Sequence, residues 1–469
     1  MGGQAGEYPH ARPQDVPVGG TQFHAVDGDF AGGQRVAARA AAAVVRESRW
    51  TRCSVFAAVF VVVLAVHEVS PVRQCSDSRW ALHKAMSILT EGNTDLDEYP
   101  IILKAENYYA IQTVNGHLYD LFPIGVSIAA LPFVAADDLW FRLVRHHGFA
   151  EELRRRCGSG EQKLIAGVFV ALTAAILYLI ALDRLGTSWR ALVPVFVFAF
   201  CTSAWSSASR GLWQHAPSML MLTTTLYLFV LAEKKPKLIQ YAGAFLAFSY
   251  VVRPTNSIPI VVLTLLVLLL HRRYFLQYLA WGAAVAVPFF AFNYSVFGTL
   301  IPFYYMPGRL EGHSRFWEAL AGNLISPSRG LFVFSPVLAL SLLGVGIKMK
   351  QRRIDALDVS LLTIVVLHWI VISSYPPWWA GYSYGPRLFT DMMPYFAYLL
   401  IPVVEKLFRP VTGRTAALAS LIVVLAAVSF FAHFRGAFRN KTMSWNVTPV
   451  NVNAHPERIW DYRDPQFLR

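Results

Sequence analysis

The chain has 469 residues, 55% hydrophobic and 15% charged, with a mean hydropathy of +0.41. Soluble domains run nearer ~45–50% apolar and ~25% charged, so the composition indicates a polytopic membrane protein, and the net charge of +13 reads as Lys and Arg in cytoplasmic loops, not as a nucleic-acid footprint. Cys53, Cys75, Cys157 and Cys201 are scattered without metal-ligand or paired spacing, which argues against a disulfide scaffold and a structural zinc site.

Residues 1–45 are Gly-, Ala- and polar-rich and read as a disordered cytoplasmic tail, with no apolar region near Met1 to suggest a cleaved signal. Arg46, Arg49 and Arg52 precede the first apolar run, Cys53–Val66, and put the N-terminus in the cytoplasm. Further runs fall near 118–141, 163–182, 191–208, 212–232, 238–252, 257–270, 276–292, 331–347, 357–374, 388–404 and 415–432. Several are short for a span of ~20 residues. Short basic connectors, around Lys234, His271, Lys348 and Lys406, alternate with longer ones rich in aromatics, Pro and Gly at 70–117, 293–330 and 374–387. The positive-inside bias puts the basic set in the cytoplasm and the aromatic set outside. Parity then requires one run between residues 118 and 210 not to span, and 191–208, with Pro194, is the expected one. The expectation is an all-α polytopic protein of about 11 spans: a transmembrane domain over 46–432 and a short outer tail over 433–469.

The outer segments carry the chemistry. Asp77 lies just beyond the first span, next to Arg73 and Arg79. After it, Trp80, Ala81, Leu82, Ala85, Met86 and Leu89 are spaced as an amphipathic helix suited to the membrane interface, ended by Gly92. Asp95, Asp97 and Glu98 follow as solvated loop acids. Arg210 with Trp213 and His215, Arg253, and Arg387 beside Tyr384 are outward cations that oppose the positive-inside bias. An anionic ligand explains them, since a guanidinium fork matches phosphate oxygens. Snorkelling to headgroups is the alternative for each. Asp391, four residues after Arg387, is placed to pair with it on one helix face.

These pieces resemble the GT-C superfamily of membrane glycosyltransferases that use polyprenyl-phosphate sugars, such as aminoarabinose transferases of lipid A and protein O-mannosyltransferases. The similar segments are Asp77-Ser78-Arg79, Glu91 to Leu96, Gly116 to Pro123, Ser209 to Pro217, Arg253 to Asn256, Ser326 to Ser335 and Tyr382 to Arg387. The resemblance implies a catalytic carboxylate in the first outer loop, carried onto Asp77. Protein mannosyltransferases have two adjacent acids there, and this chain has Asp77 followed by Ser78.

The resulting expectation is an inverting transferase in the cytoplasmic membrane with its site on the outer face. It would move one sugar from a polyprenyl phosphate to a hydroxyl acceptor, with Asp77 as general base. Arg387, Arg253, Arg210, His215, Tyr384, Arg79, Asp97 and Trp213 are the candidate substrate-binding residues. No cofactor is expected. A divalent metal on Asp77, Asp95 or Asp97 enters only if the donor is a pyrophosphate. The rival readings are an oligosaccharide ligase or polymerase using undecaprenyl pyrophosphate, and a lipid-linked sugar transporter or flippase.

Overall fold

The structure, a computed structural model, describes residues 48–104, 108–306, 312–408 and 412–469. The tail expected over 1–45 lies outside the described residues. Helices dominate: α1 (Arg49–Val69), α2 (Ala81–Thr90), α3 (Ile124–Trp140), α4 (Ser159–Leu185), α5 (Ser188–Phe200), α6 (Ser203–Ser206), α7 (His215–Ala232), α8 (Ala242–Val252), α9 (Ser257–Leu270), α10 (Phe275–Phe297), α11 (Phe316–Ile325), α12 (Ala339–Lys350), α13 (Ala356–Ser373), α14 (Met393–Leu407) and α15 (Gly413–Phe438). Among the described residues a single hairpin interrupts them, β1 (Ile111–Val114) and β2 (His117–Asp120), antiparallel with Ile111 opposite Asp120 and Val114 opposite His117. Its two-residue turn is Asn115-Gly116, both at positive φ (52° and 88°), the conformation that matches the twist of a tight hairpin.

Eight helical segments are long and apolar enough to cross a membrane among the described residues, nine if one bent pair counts as a single span. The expected eleven is corrected for a physical reason. Hydropathy detects apolar runs but not where a helix stops. The runs 238–252 and 331–347 yield α8 of 11 residues and α12 of 12 residues, each preceded by a separate 3₁₀ segment beginning with proline, and α9 has 14. The run 191–208, expected not to span, is the bent pair: α5 and the segment Ser203–Arg210 meet at 42°.

α4 is the centre of the bundle. It packs against α1, α5 and α7, and its apolar residues are buried on nearly every side. Around it, α1, α10 and α15 leave most of their apolar residues uncovered, including Val61, Val62, Leu276, Val287, Val423 and Val424. Water would penalise such surface by roughly 25 cal/mol per Å², whereas lipid does not, so these faces meet the bilayer.

The two classes of connector occupy separate ends of the bundle. At one end Lys234 pairs with Asp183, Arg184 with Glu233, Lys348 with Asp358 and Arg353 with Glu405, while Arg184 and Lys348 both lie over the Tyr398 ring. At the other end the segment after α1 meets the segment before α7: Gln74 donates from its backbone to the Arg210 carbonyl at 2.8 Å. Here the chains touch so closely that a Cβ on Gly211 would lie 1.6 Å from the Gln74 carbonyl oxygen. Gly211→Ala is therefore expected to destabilise the protein by about 1–3 kcal/mol through overpacking. Gly346→Ala, where a Cβ meets nothing within 4 Å, should be neutral. Thermal unfolding of the two variants in detergent checks the contrast.

Candidate active site

Four segments remote in sequence converge at this second end. The first leaves α1 at Ser70, runs extended, and turns at 76–79 into α2, presenting Asp77. The second is Ser209 to His215, which opens α7. The third is Arg253, where the backbone leaves α8 in an extended conformation and Pro254 starts a new turn. The fourth turns at Gly385, at φ +55°, into a 3₁₀ segment over Arg387–Met392.

Their charges satisfy one another. Arg387 pairs through Nη2 with Asp77 Oδ2, and the Tyr109 hydroxyl lies 3.4 Å from the other Asp77 oxygen. Burial, then the Asp77 charge, pushes the Tyr109 phenol up to about 12, so it remains a donor toward Asp77. The Arg387 guanidinium also lies over the Trp213 indole, 3.7 Å from the ring centroid, a cation–π contact on a buried ring. Asp391, fully buried, takes both His215 Nδ1 and Arg253 Nε at 3.0 Å on its Oδ2. Carboxylates only accept, so His215 carries its proton on Nδ1. A neutral ring then offers Nε2 as a buried acceptor with no protein partner.

The side chains of Asp77, Trp213, His215, Arg253 and Arg387 line one cavity of about 380 Å³, together with Ser78, Asp120, Phe122, Gln214 and Tyr304. A second cavity of about 420 Å³ adjoins it, with Lys84, Tyr119, Phe289, Phe297 and Tyr305 in its wall, and shares Asp120, Phe122, Pro123 and Tyr304 with the first. Charge thus concentrates in one chamber and aromatic surface in its neighbour.

Other expected site residues are placed elsewhere. Arg210 is fully buried and donates to the carbonyls of His67 (2.7 Å) and Ser70 (3.0 Å) and to Ser209 Oγ (2.9 Å). These carbonyls end α1 and lack helical partners, so Arg210 is a helix cap. Tyr384 is buried with its hydroxyl donating to the Ala432 carbonyl, and its ring fits where Gly436 has no side chain: a Cβ there would lie 2.2 Å from Tyr384 Cε1. Arg79 lies over the Trp80 ring, outside the cavity lining. Asp97 accepts from His117 Nδ1 at 2.6 Å and from the Leu118 amide at 2.8 Å on an exposed surface. That pairing holds the His117 ring above its ordinary pKa. Asp95, Asp97 and His117 bring ligand atoms within 4.8 Å of one another and are the residues that would hold a divalent cation, whereas Asp77 is committed to Arg387. The Arg387–Asp391 pairing expected on one helix face does not form, because residues 387–392 are 3₁₀, in which i and i+3 eclipse and i+4 is rotated away.

Sequence reasoning also missed a pair. Lys84 lies on the helix expected at the membrane interface, yet it is buried, as are all residues of α2 from Ala81 to Ser87. α3 covers one side and the segment with Tyr99 and Ile102 another, so α2 lies inside the protein. Lys84 Nζ meets Asp120 Oδ2 at 3.0 Å and the Phe122 carbonyl at 2.8 Å. Burial raises the Asp120 pKa, with Lys84 acting against it. The signal was Asp120 itself, an acid one residue before the apolar Leu121 and Phe122.

The segment bearing Arg387 is braced from behind. Arg329, fully buried, donates to the carbonyls of Trp379 (2.7 Å) and Gly381 (3.2 Å), to Asn446 Oδ1 (2.8 Å) and to Gln466 Oε1 (2.6 Å). The same Gln466 oxygen accepts from the Gly385 amide at 3.1 Å. Trp378 fits over Gly322, where a Cβ would lie 2.2 Å from the indole.

No family model and no curated protein matches the chain. Among solved structures, it is similar to the crystal structure of ArnT from Cupriavidus metallidurans bound to undecaprenyl phosphate, with 12% identity, a TM-score of 0.48, and coverage of 90% of this chain and 76% of that one.

Removing one member of a buried charge cluster leaves the others uncompensated, typically at ~3–5 kcal/mol. Asp391→Ala is therefore expected to destabilise the protein by about that much, while Asp97→Ala, on the exposed surface, stays within roughly 0.5 kcal/mol. Parallel thermal melts test both.

Proposed function

We propose that the chain is a membrane glycosyltransferase that moves a single sugar from a polyprenyl phosphate to a hydroxyl acceptor, at the outer face of the cytoplasmic membrane and with inversion. The observation that carries the reading is the juxtaposition of Asp77 with Arg387 on the Trp213 ring, in a cavity at the end of an apolar bundle. The order of motifs resembling GT-C enzymes supports the same conclusion.

In this reading the acceptor oxygen attacks the anomeric carbon from the face opposite the phosphate. The bond between that carbon and the phosphate oxygen breaks, and its electron pair leaves with the polyprenyl phosphate. Asp77 takes the acceptor's proton. Arg387 holds Asp77 through Nη2 and keeps Nε without a protein partner, so one guanidinium positions the base and offers a donor to the leaving phosphate. Arg253 adds positive charge from the same wall. His215 Nε2, fixed as an acceptor by Asp391, orients a sugar hydroxyl.

With purified polyprenyl-phosphate donor in detergent, Asp77→Asn is expected to lose roughly 10²–10⁴ in transfer rate while still binding donor. Asp97→Asn should stay near wild type. Near-normal turnover in Asp77→Asn would remove Asp77 as the base. Arg387→Ala is expected to cost about tenfold to a hundredfold, the range of a hydrogen bond to a charged group. Arg387→Lys should recover only part, because the fork is lost. An Arg387→Ala variant with full activity would discard the phosphate role.

A further inference from the structure

We propose that Cys75 and Cys157 form a disulfide that fastens the Asp77 turn to the foot of α4. Their sulfurs lie 3.1 Å apart although the residues are 82 positions apart in sequence. A bond needs them about 1 Å closer. Both are partly buried, and neither remaining cysteine competes: Cys201 is buried against the Ala426 carbonyl, and Cys53 is exposed on α1.

The approach is set by the backbone and not by the sulfurs. On the Cys75 side, Val72 donates to the Ala437 carbonyl and Gln74 to the Arg210 carbonyl. On the Cys157 side, Gly158 takes φ +63°, the left-handed region that favours glycine, and lies against the Leu82 side chain. Gln162 then joins the two sides. Its amide nitrogen donates to the Cys157 carbonyl and its oxygen accepts from Ser78 Oγ, each at 2.6 Å.

The pair is also poised for exchange. The hydrogen bond shared by the two thiols favours a thiolate at this pair, against burial, and the Arg79 charge adds to that. The Cys157 thiolate attacks one sulfur of an oxidant carrying a disulfide, breaking that bond and forming a mixed disulfide. Cys75 then gives up its proton to solvent and displaces the oxidant's sulfur, which leaves as a thiolate. Two thiols lose two electrons and two protons, and the oxidant's disulfide becomes a dithiol. The step in cells rests on the outer-face reading above, since that compartment is oxidising. Once closed, the bridge encloses Asp77, Lys84 and Asp120 in one covalent loop, so the wall of the charged cavity is held as a unit.

The test is alkylation of the full-length protein, trapped in acid from intact membranes and treated with N-ethylmaleimide after denaturation. Peptide mapping is expected to find Cys53 and Cys201 modified and a Cys75–Cys157 cross-linked peptide that takes up two further labels after dithiothreitol. In Cys75→Ser, Cys157 should become alkylated. Trapped wild-type protein labelled at both Cys75 and Cys157 overturns the proposal. As a second readout, reduction should lower the unfolding temperature of the wild type by several degrees and leave the Cys75→Ser/Cys157→Ser double variant unmoved. A wild-type melt indifferent to reduction overturns the fastening role. Sugar transfer by the wild type is measured separately: an intact bridge without transfer removes only the glycosyltransferase reading, and transfer by a protein with both thiols free removes only the bridge.

Discussion

Charge pairing across long sequence separations is the constraint on which the active end of this molecule depends. Asp77 and Arg387 are 310 residues apart, and Asp391 is 176 from His215, yet each carboxylate is the partner that the other segment's cation requires. An apolar bundle cannot solvate a lone buried charge, and leaving one unpaired costs several kcal/mol. The observed arrangement of the four segments pairs Asp77 with Arg387 and Asp391 with Arg253 while seating Arg387 on Trp213. Helices α7, α8 and α14 are thereby fixed relative to the turn after α1. The network that organises this end is also the network that faces the cavity.

Much of the fold was legible because lipid imposes a simple rule, and almost every apolar run became a helix. The separation of basic from aromatic connectors was legible for the same reason. Helix length was not, because a 3₁₀ segment opening at Pro336 interrupts the run 331–347, and another, Pro236–Tyr241, takes up the start of the run 238–252. Within the site, the outward arginines stood out against the positive-inside bias. What separates Arg253 and Arg387 from Arg210 is partner choice: carboxylates for the first two, the orphan carbonyls of α1 for the third. Adjacent sequence contains no trace of that difference. Lys84 was misplaced for a related reason. The 3.6-residue periodicity of α2 predicts one polar face, but a second layer of protein covers that face, and its partner Asp120 arrives on a hairpin made possible by Asn115-Gly116.

The C-terminal segment shows how an apolar bundle supports a polar surface loop. Among the described residues Arg329 has no carboxylate on it; its bonds go to backbone carbonyls and to the amides of Asn446 and Gln466. Burial, then the charges of Arg387 and Arg458, pulls its guanidinium down to about 9. Such a group ties together everything within reach of its fork, here the 379–381 turn and residues 446 and 466, and so sets the backbone from which Arg387 projects.

The glycine seats of Trp378 and Tyr384 have a mechanical consequence. Each ring is sunk into a helix at a position without a side chain, Trp378 over Gly322 of α11 and Tyr384 over Gly436 of α15. The stretch between them is thereby pinned at both edges, like a riveted plate. On another side of the charged chamber, Phe122 and Tyr304 meet edge-on at 5.4 Å and line both cavities. The partition between the charged chamber and the aromatic one is thus built in part from two side chains, while the opposite wall is held by rings sunk into helices.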